Sequence, residues 1–275
     1  MSPTFKSILA VIDPTTDQQR ALERALGLAQ AGGAAVHAYL CCYSNARVAD
    51  FAALERAETA RHQLWLTQLA ARYAGLGKTF SFEVEWNHDW RESVARAAAR
   101  QDCDLIVKSS FRHAPARRRI LKTSDWWVLR HAHCPVLLVK QEHPLPLRCV
   151  LAAVDVRAED DAHRQLNNAV MTHARQLAAS ADDCQLHAVS ACEASQRVAL
   201  RTRLATLTRL DIGRCHAQCA TPEDAIVDCA ALLDADLVII GSVARSGLGA
   251  LTSGNTAERA LDNLDADLLV VTLRH

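Results

Sequence analysis

An internal repeat limits the possible folds of this chain more than any other feature. Four short apolar runs recur in the same order in the two halves of the 275-residue sequence. From the third run onward, the second copy follows the first at a constant offset of 132 residues. Such self-similarity predicts two copies of one structural unit. The paired runs are residues 7–13 and 149–155, 36–42 and 186–192, 104–109 and 236–241, and 135–140 and 267–272.

The joint between the copies lies at residues 141–146, which read QEHPLP. This stretch is mostly polar and contains two prolines, as is typical of a linker. We therefore place one domain at residues 1–144 and a second at residues 145–275.

The apolar runs of the first copy alternate with segments of helical periodicity. These segments are residues 17–31, 50–73, 91–100 and 124–131, while residues 80–85 alternate like a strand. Strands that alternate with helices are typical of a parallel sheet covered on both faces. The predicted fold class is therefore α/β, with two tandem, doubly wound, parallel sheets of five strands each.

The most informative stretch is residues 236–258, DLVIIGSVARSGLGALTSGNTAE. It predicts a buried strand, a glycine-rich loop and a helix whose start has Asn255 as N-cap and Glu258 to complete a capping box. Glycines allow a phosphate close to the backbone, and the free amides of a helix start point at it. The stretch therefore predicts an anion site. Its glycines are Gly241, Gly247, Gly249 and Gly254.

An aspartate ends the first strand of each copy, Asp13 in the first and Asp155 in the second. In doubly wound sheets, ligands bind at the carboxyl ends of the strands, where the strand order reverses. If strands one and four of a unit are neighbours, Asp155 and the loop at 241–256 face the same crevice.

Charge and cysteine content restrict the functional classes. Lysine plus arginine equals aspartate plus glutamate, 31 each, which argues against a nucleic-acid partner. No stretch approaches the length of a membrane span, and the ten cysteines form no CxxC framework, so we expect a cytoplasmic protein with reduced thiols. Cys215, His216 and Cys219 are interpreted as a strand with core cysteines rather than a metal site.

With these residues in view, the second half resembles the universal stress proteins. Nucleotide-binding members of that family carry a G-x2-G-x9-G-[ST] loop after the fourth strand and an aspartate at the end of the first. Gly241 and Gly254 match the first and third glycines, Ala244 takes the second position, and Asn255 followed by Thr256 replaces Ser/Thr. The GNTAE ending and the tandem repeat most resemble the E-type tandem members of Gram-negative bacteria.

The resemblance implies an adenine nucleotide α-hydrolase-like unit that binds ATP, with or without Mg²⁺. The aspartate then lies near the adenine, the backbone of the second strand flanks the base, and the loop holds the ribose and phosphates. The residues implied are Asp155, Val189, Gly241, Ala244, Gly247, Gly249, Gly254, Asn255 and Thr256.

The resemblance also implies an intramolecular pseudo-dimer. Single-unit members commonly dimerise through their last strand, so a tandem chain can pair residues 136–140 with residues 268–272. Further association into a homodimer of tandem chains is left open.

The first copy has different chemistry at the equivalent loop. The offset places Ser109, Arg112 and Lys122 where the second copy has Gly241, Ala244 and Gly254. Because no glycine remains between residues 109 and 123, we predict that this copy does not bind ATP in the family manner. The basic segment Arg112–Lys122 is either a solvated loop or a site for an anion or a lipid headgroup.

Three functional hypotheses follow. The first is a stress-response binding and signalling module with an adenine nucleotide in its second half. The second is a slow ATPase, although the loop has no Walker-type lysine and the chain shows no catalytic triad at motif spacing. The third is a scaffold whose crevices hold a lipid or another small molecule. We predict no catalytic residue and no metal ligand.

Overall fold

The computed structural model of the chain describes residues 5–73, 80–110, 125–140, 146–157, 160–243 and 263–273. The chain divides into two compact units, Met1–Val139 (unit 1) and Lys140–His275 (unit 2). No helix among the described residues is both long and apolar enough to cross a membrane.

The described part of unit 1 is a parallel sheet with helices. Its strands are β1 Ser7–Val11, β2 Ala35–Cys42, β3 Phe80–Trp86, β4 Leu105–Ser109 and β5 Val136–Val139. Its helices are α1 Arg20–Gly32, α2 Phe51–Tyr73 and α3 Trp90–Arg100, and residues 125–131 are also helical. The strand order is β3-β2-β1-β4-β5, with parallel neighbours.

Unit 2 repeats this architecture. Its strands are β6 Cys149–Ala153, β7 Gln185–Ala191, β8 Cys215–Gln218, β9 Leu237–Val243 and β10 Asp267–Leu273. Its helices are α4 Asp161–Ala178, α5 Arg197–Thr208 and α6 Pro222–Leu232. The order is β10-β9-β6-β7-β8, again with parallel neighbours.

Local sequence signals explain where several helices begin and end. The side chains of Asp89, Asp160 and Thr221 accept a hydrogen bond from the amide three residues onward, so they cap α3, α4 and α6. Helix α1 ends at Gly33, whose φ of 85° lies in the left-handed region that favours glycine.

An aspartate just before the fourth strand of each unit binds the start of its first strand; Asp236 of unit 2 is buried and Asp104 of unit 1 is half-buried. In unit 2 the Asp236 carboxylate accepts hydrogen bonds from the amides of Arg148 (2.6 Å) and Cys149 (2.9 Å). In unit 1 Asp104 accepts from the amides of Lys6 (2.8 Å) and Ser7 (3.0 Å). The acidic residue that opens the third apolar run in each copy therefore has a structural role.

The predicted fold class is confirmed: both units are α/β with parallel, doubly wound sheets. Helix α1 begins at Arg20 and not at Asp17 as predicted, because the Gln19 side chain binds the Asp13 and Thr16 carbonyls and its backbone is not helical. The pairing of the last strands of the two units stays a prediction.

Candidate functional site

The strand order places the candidate crevice of unit 2 at the carboxyl ends of β6 and β9. The chain proceeds from β6 to β7 and β8 on one side, whereas β9 and β10 lie on the other, so the order reverses between β6 and β9. Ala153, at the end of β6, pairs with Ile240 of β9 and with Val189 of β7. The first and fourth strands of the unit are neighbours, as the sequence predicted, and Asp155 lies two residues beyond the end of β6. Gly241 lies inside β9, which continues to Val243, so the prediction that this strand ends before the glycine is wrong.

The backbone of Asp155 is held by the side-chain amide of Asn167, a buried residue of α4. The Asp155 amide donates to Asn167 Oδ1 (3.1 Å), and Asn167 Nδ2 donates to the Asp155 carbonyl (2.8 Å). This two-bond arrangement, the amide clamp, satisfies both backbone groups of Asp155 just after its strand ends. The clamp therefore fixes the backbone position from which the Asp155 side chain extends, just beyond the end of β6.

The Asp155 side chain is 44% exposed, and its carboxylate forms an ion pair with Arg157. The Arg157 amide donates to Asp155 Oδ1 (3.0 Å), and its guanidinium Nε lies 3.4 Å from the same oxygen. The first contact is an Asx turn, which reverses the chain after the strand. Asp155 Oδ1 therefore already accepts hydrogen bonds from Arg157, although the side chain is accessible to solvent.

Unit 1 builds the same clamp from a different sequence position. Gln19 Oε1 accepts from the Asp13 amide (3.1 Å), and Gln19 Nε2 donates to the Asp13 carbonyl (2.8 Å). Gln19 lies six residues after its aspartate, whereas Asn167 lies twelve residues after Asp155. Asp13 also forms an Asx turn, with Thr15. The two units therefore hold their aspartates in the same way.

Gly241 has a packing reason to be glycine. A Cβ at this position would come within 2.9 Å or less of three carbon atoms of the Leu166 side chain. Leu166 belongs to α4 and is buried. At the equivalent place in unit 1, Ser109 has room for a hydroxyl that accepts from the Ala21 amide at the start of α1 (3.2 Å). The close approach of α4 to β9 therefore requires the first motif glycine.

Val189 is 1% exposed, so its side chain belongs to the core of unit 2. Its carbonyl accepts a hydrogen bond from the Val154 amide (3.0 Å). The remaining predicted site residues lie outside the described part of the chain, as does the basic segment Arg112–Lys122 of unit 1. Those residues are Ala244, Gly247, Gly249, Gly254, Asn255 and Thr256.

The corresponding edge of unit 1 carries a shielded ion pair. Lys108, the residue equivalent to Ile240, places its Nζ 2.7 Å from Asp125 Oδ1, and both side chains are less than 15% exposed. The same Nζ donates to the Ser109 carbonyl (2.9 Å) and lies 5.5 Å from the centre of the Trp90 ring. Ser110 donates its hydroxyl to the other Asp125 oxygen (2.8 Å). At this position, unit 1 therefore has a shielded ion pair where unit 2 has the buried, apolar Ile240.

The side chains of Cys215, His216 and Cys219 lie in different surroundings. Cys215 is buried beside the Thr208 hydroxyl, and His216 shares a hydrogen bond with His187 (3.1 Å). Cys219 is exposed, so its interpretation as a core cysteine is wrong. The reason is that β8 ends at Gln218, one residue earlier. Among the described residues, no three His, Cys, Asp or Glu side chains are arranged to hold a metal ion.

Sequence reasoning missed Asn167 and Arg157. A signal for Asn167 exists, since an asparagine on the face of α4 that carries Leu166, Val170 and Met171 is a polar residue in a core position. A buried polar group needs partners, which points to a local structural role. Arg157 carries no comparable signal, because an exposed arginine in a loop is ordinary.

We expect the Asn167→Ala variant to be destabilised by about 1–2 kcal/mol, since it leaves two backbone groups of Asp155 without their partners. Urea denaturation of the full-length chain measures this loss. Asn168→Ala is the matched control, because Asn168 is the next residue of α4 and is exposed. Equal stability of the two variants would contradict the clamp.

Comparison with known proteins adds independent information. The sequence profile described as "Universal stress protein family" matches residues 4–140 and 214–272. Universal stress protein E of Salmonella typhi is 27% identical over 97% of this chain and 94% of its own. The Universal stress protein E homolog of Haemophilus influenzae is 26% identical over 96% of each chain.

Solved structures agree with these sequence relatives. A crystal structure of a functionally unknown protein from Pseudomonas aeruginosa covers 98% of this chain and 92% of its own, with 32% identity and a TM-score of 0.81. A universal stress protein from Archaeoglobus fulgidus covers 98% and 97%, with 13% identity and a TM-score of 0.72. The second likeness concerns the fold alone.

Proposed function

The chain belongs to the universal stress protein family, and from that premise we propose that unit 2 is a binding module for an adenine nucleotide, ATP with or without Mg²⁺. The observation that carries the proposal is the place of Asp155. It follows β6 at the point where strand order reverses, beside β9, which continues into the glycine-rich stretch.

The state of Asp155 supports a role in binding. A side chain that binds a ligand has to be accessible and held in place by its neighbours. Asp155 is 44% exposed, and the amide clamp of Asn167 holds its backbone. Such a rigidly based and accessible acceptor suits a hydrogen bond from the 2′-hydroxyl of a ribose or the amino group of an adenine.

The contrast between the two units supports a single nucleotide site. Unit 1 has Lys108 and Asp125 as an ion pair at the edge where unit 2 has the apolar Ile240. A ligand at that edge of unit 1 would have to separate or desolvate this pair, which is costly. Together with the absence of glycine from residues 109–123, this favours unit 2 as the binding half.

We expect Asp155→Ala to weaken ATP binding by about 10-fold to 100-fold, the range expected for one hydrogen bond to a charged group. Isothermal titration of the full-length chain with ATP and Mg²⁺ measures the change. Asp13→Ala is the matched control, because Asp13 is the equivalent residue of unit 1 and has the same Asx turn and clamp. It should leave the affinity unchanged.

Two results would reject the proposal. One is equal loss of affinity in the two aspartate variants, which would point to a general effect on folding. The other is no binding at millimolar ATP by the natural chain together with none by Ala244→Gly, which restores the second glycine of the motif. Thermal shift in the presence of ATP provides a second readout, because a ligand of the folded state raises Tm.

A further inference from the structure

Two cysteine sulfur atoms are in contact in unit 2. Cys192 Sγ and Cys219 Sγ lie 3.6 Å apart. Cys192 follows the last residue of β7, and Cys219 follows the last residue of β8. The pair therefore lies at the carboxyl edge of the sheet, the same edge as Asp155.

The sheet register brings the two residues opposite each other. Ala191 pairs with Gln218 at the end of the β7–β8 ladder, so the next pair in register is Cys192 and Cys219. The Cys192 amide donates to the Gln218 carbonyl (2.8 Å), which continues the ladder beyond the assigned strands. Neighbouring strands lie about 4.8 Å apart, within the range of about 4.4–6.8 Å that a disulfide spans between Cα atoms.

The two thiols differ in access to solvent. Cys219 is exposed, whereas Cys192 is buried with 6% of its surface accessible. Burial raises the pKa of the Cys192 thiol, and the neighbouring Cys219 raises it further, while Arg197 and Arg157 oppose this shift. An oxidant from solvent therefore meets Cys219 first, and Cys192 is placed to react with the product.

We propose that Cys192 and Cys219 form a reversible disulfide and are a redox modification site, with a peroxide as the oxidant. The Cys219 thiolate attacks one oxygen of hydrogen peroxide, which gives a sulfenic acid and, after protonation of the leaving hydroxide, one water. Cys192 sulfur then attacks the sulfenic sulfur, the S–S bond forms, and the second water leaves with the Cys192 proton. Two thiols are oxidised and one peroxide is reduced. The proposal does not depend on nucleotide binding.

The disulfide would link β8, the strand at one end of the unit 2 sheet, covalently to its neighbour β7. Strand β8 has four residues and lies at the end of the order β10-β9-β6-β7-β8. A bond between residues 192 and 219 closes the loop that contains α5. Closing a loop of this length in the unfolded chain stabilises the folded state, and we expect the Tm of unit 2 to rise by roughly 5–10 °C.

Intact mass spectrometry of the full-length chain tests the site. After treatment with one equivalent of hydrogen peroxide and alkylation of the remaining thiols, we expect eight of the ten cysteines to be alkylated. Dithiothreitol should return all ten to the alkylated state. Tryptic digestion without reductant should join the peptide of residues 176–197 to that of residues 215–245.

The same peptides supply the controls, because the first also contains Cys184 and the second also contains Cys215 and Cys229. Cys192→Ser and Cys219→Ser should abolish the cross-link, whereas Cys184→Ser and Cys215→Ser should keep it. A cross-link that survives Cys192→Ser overturns the proposal. So does a chain that remains fully alkylated after peroxide, or one in which Cys219 accumulates as sulfinic acid without a cross-link.

Discussion

Replacing Asp236 by alanine is expected to destabilise unit 2 by about 3–5 kcal/mol, the largest effect that we predict. The Asp236 side chain is 1% exposed and accepts from two backbone amides, those of Arg148 and Cys149. Without the carboxylate these two donors lose their partners, and each unsatisfied buried donor costs about 1–3 kcal/mol. The Arg148 guanidinium, 3.1 Å from Asp236 Oδ1, also loses this contact and keeps only the more distant Asp234 carboxylate (3.6 Å). Guanidinium denaturation of the full-length chain measures the loss.

Asp104→Ala is the control from the other unit. Asp104 makes the equivalent two bonds to Lys6 and Ser7, but it is only half-buried and water can replace part of what is lost. We expect a smaller effect, about 1–2 kcal/mol. If Asp104→Ala cost as much as Asp236→Ala, burial would not be the decisive factor.

The Asp236 effect should depend on pH. Burial on its own would raise the pKa of Asp236, but the hydrogen bonds from the Arg148 and Cys149 amides and the Arg148 charge lower it below its ordinary value of 3.8. A carboxylate with a lower pKa in the folded state stabilises the fold above its unfolded-state pKa and loses this effect as the pH falls through its folded-state pKa. The stability difference between the natural chain and Asp236→Ala should therefore shrink below about pH 4.

Gly241→Val is expected to destabilise unit 2 by at least about 3 kcal/mol. The first added carbon already overlaps three carbon atoms of Leu166, so α4 has to move away from β9 or Leu166 has to leave its rotamer. Gly213→Ala is the control, since a Cβ at Gly213 meets nothing within 4 Å. That variant should change stability by less than about 0.5 kcal/mol. Urea denaturation of both variants measures the difference.

A double-mutant cycle identifies the cause of the Gly241 effect. Leu166→Ala removes the atoms that the new side chain would meet, so Gly241→Val should cost clearly less in that background. Additive losses would show that the overlap with Leu166 is not responsible. If Gly241→Val instead left stability unchanged and removed only nucleotide binding, the packing explanation would be wrong.

The repeat made the fold predictable. Each half supplies its own apolar runs in the same order, so a misinterpreted segment in one half could be corrected from the other. The position of Asp155 beside β9 also followed from the sequence, because the carboxyl ends of parallel strands share one edge. The fold and the position of Asp155 depend on the pattern of apolar residues and on the order of strands and helices along the chain, and both can be read from the sequence.

Other features depend on contacts between distant residues. Gly241 is predicted to be a phosphate-binding glycine, and its packing against Leu166, which is far away in sequence, adds a reason for glycine that the sequence does not show. Cys219 looked like a core residue, because the end of a four-residue strand cannot be located to within one position. The contact between Cys192 and Cys219 needed the register of two strands.

The amide clamp shows what the two halves of a duplicated chain must share. Gln19 and Asn167 differ in residue type, in spacing from their aspartate and in secondary structure, yet each makes the same pair of bonds. After duplication, one half could therefore replace its clamp residue as long as another position supplied both bonds. Residue-by-residue alignment of the two halves would score this site as divergent, although both halves keep the two hydrogen bonds that hold the backbone of the aspartate.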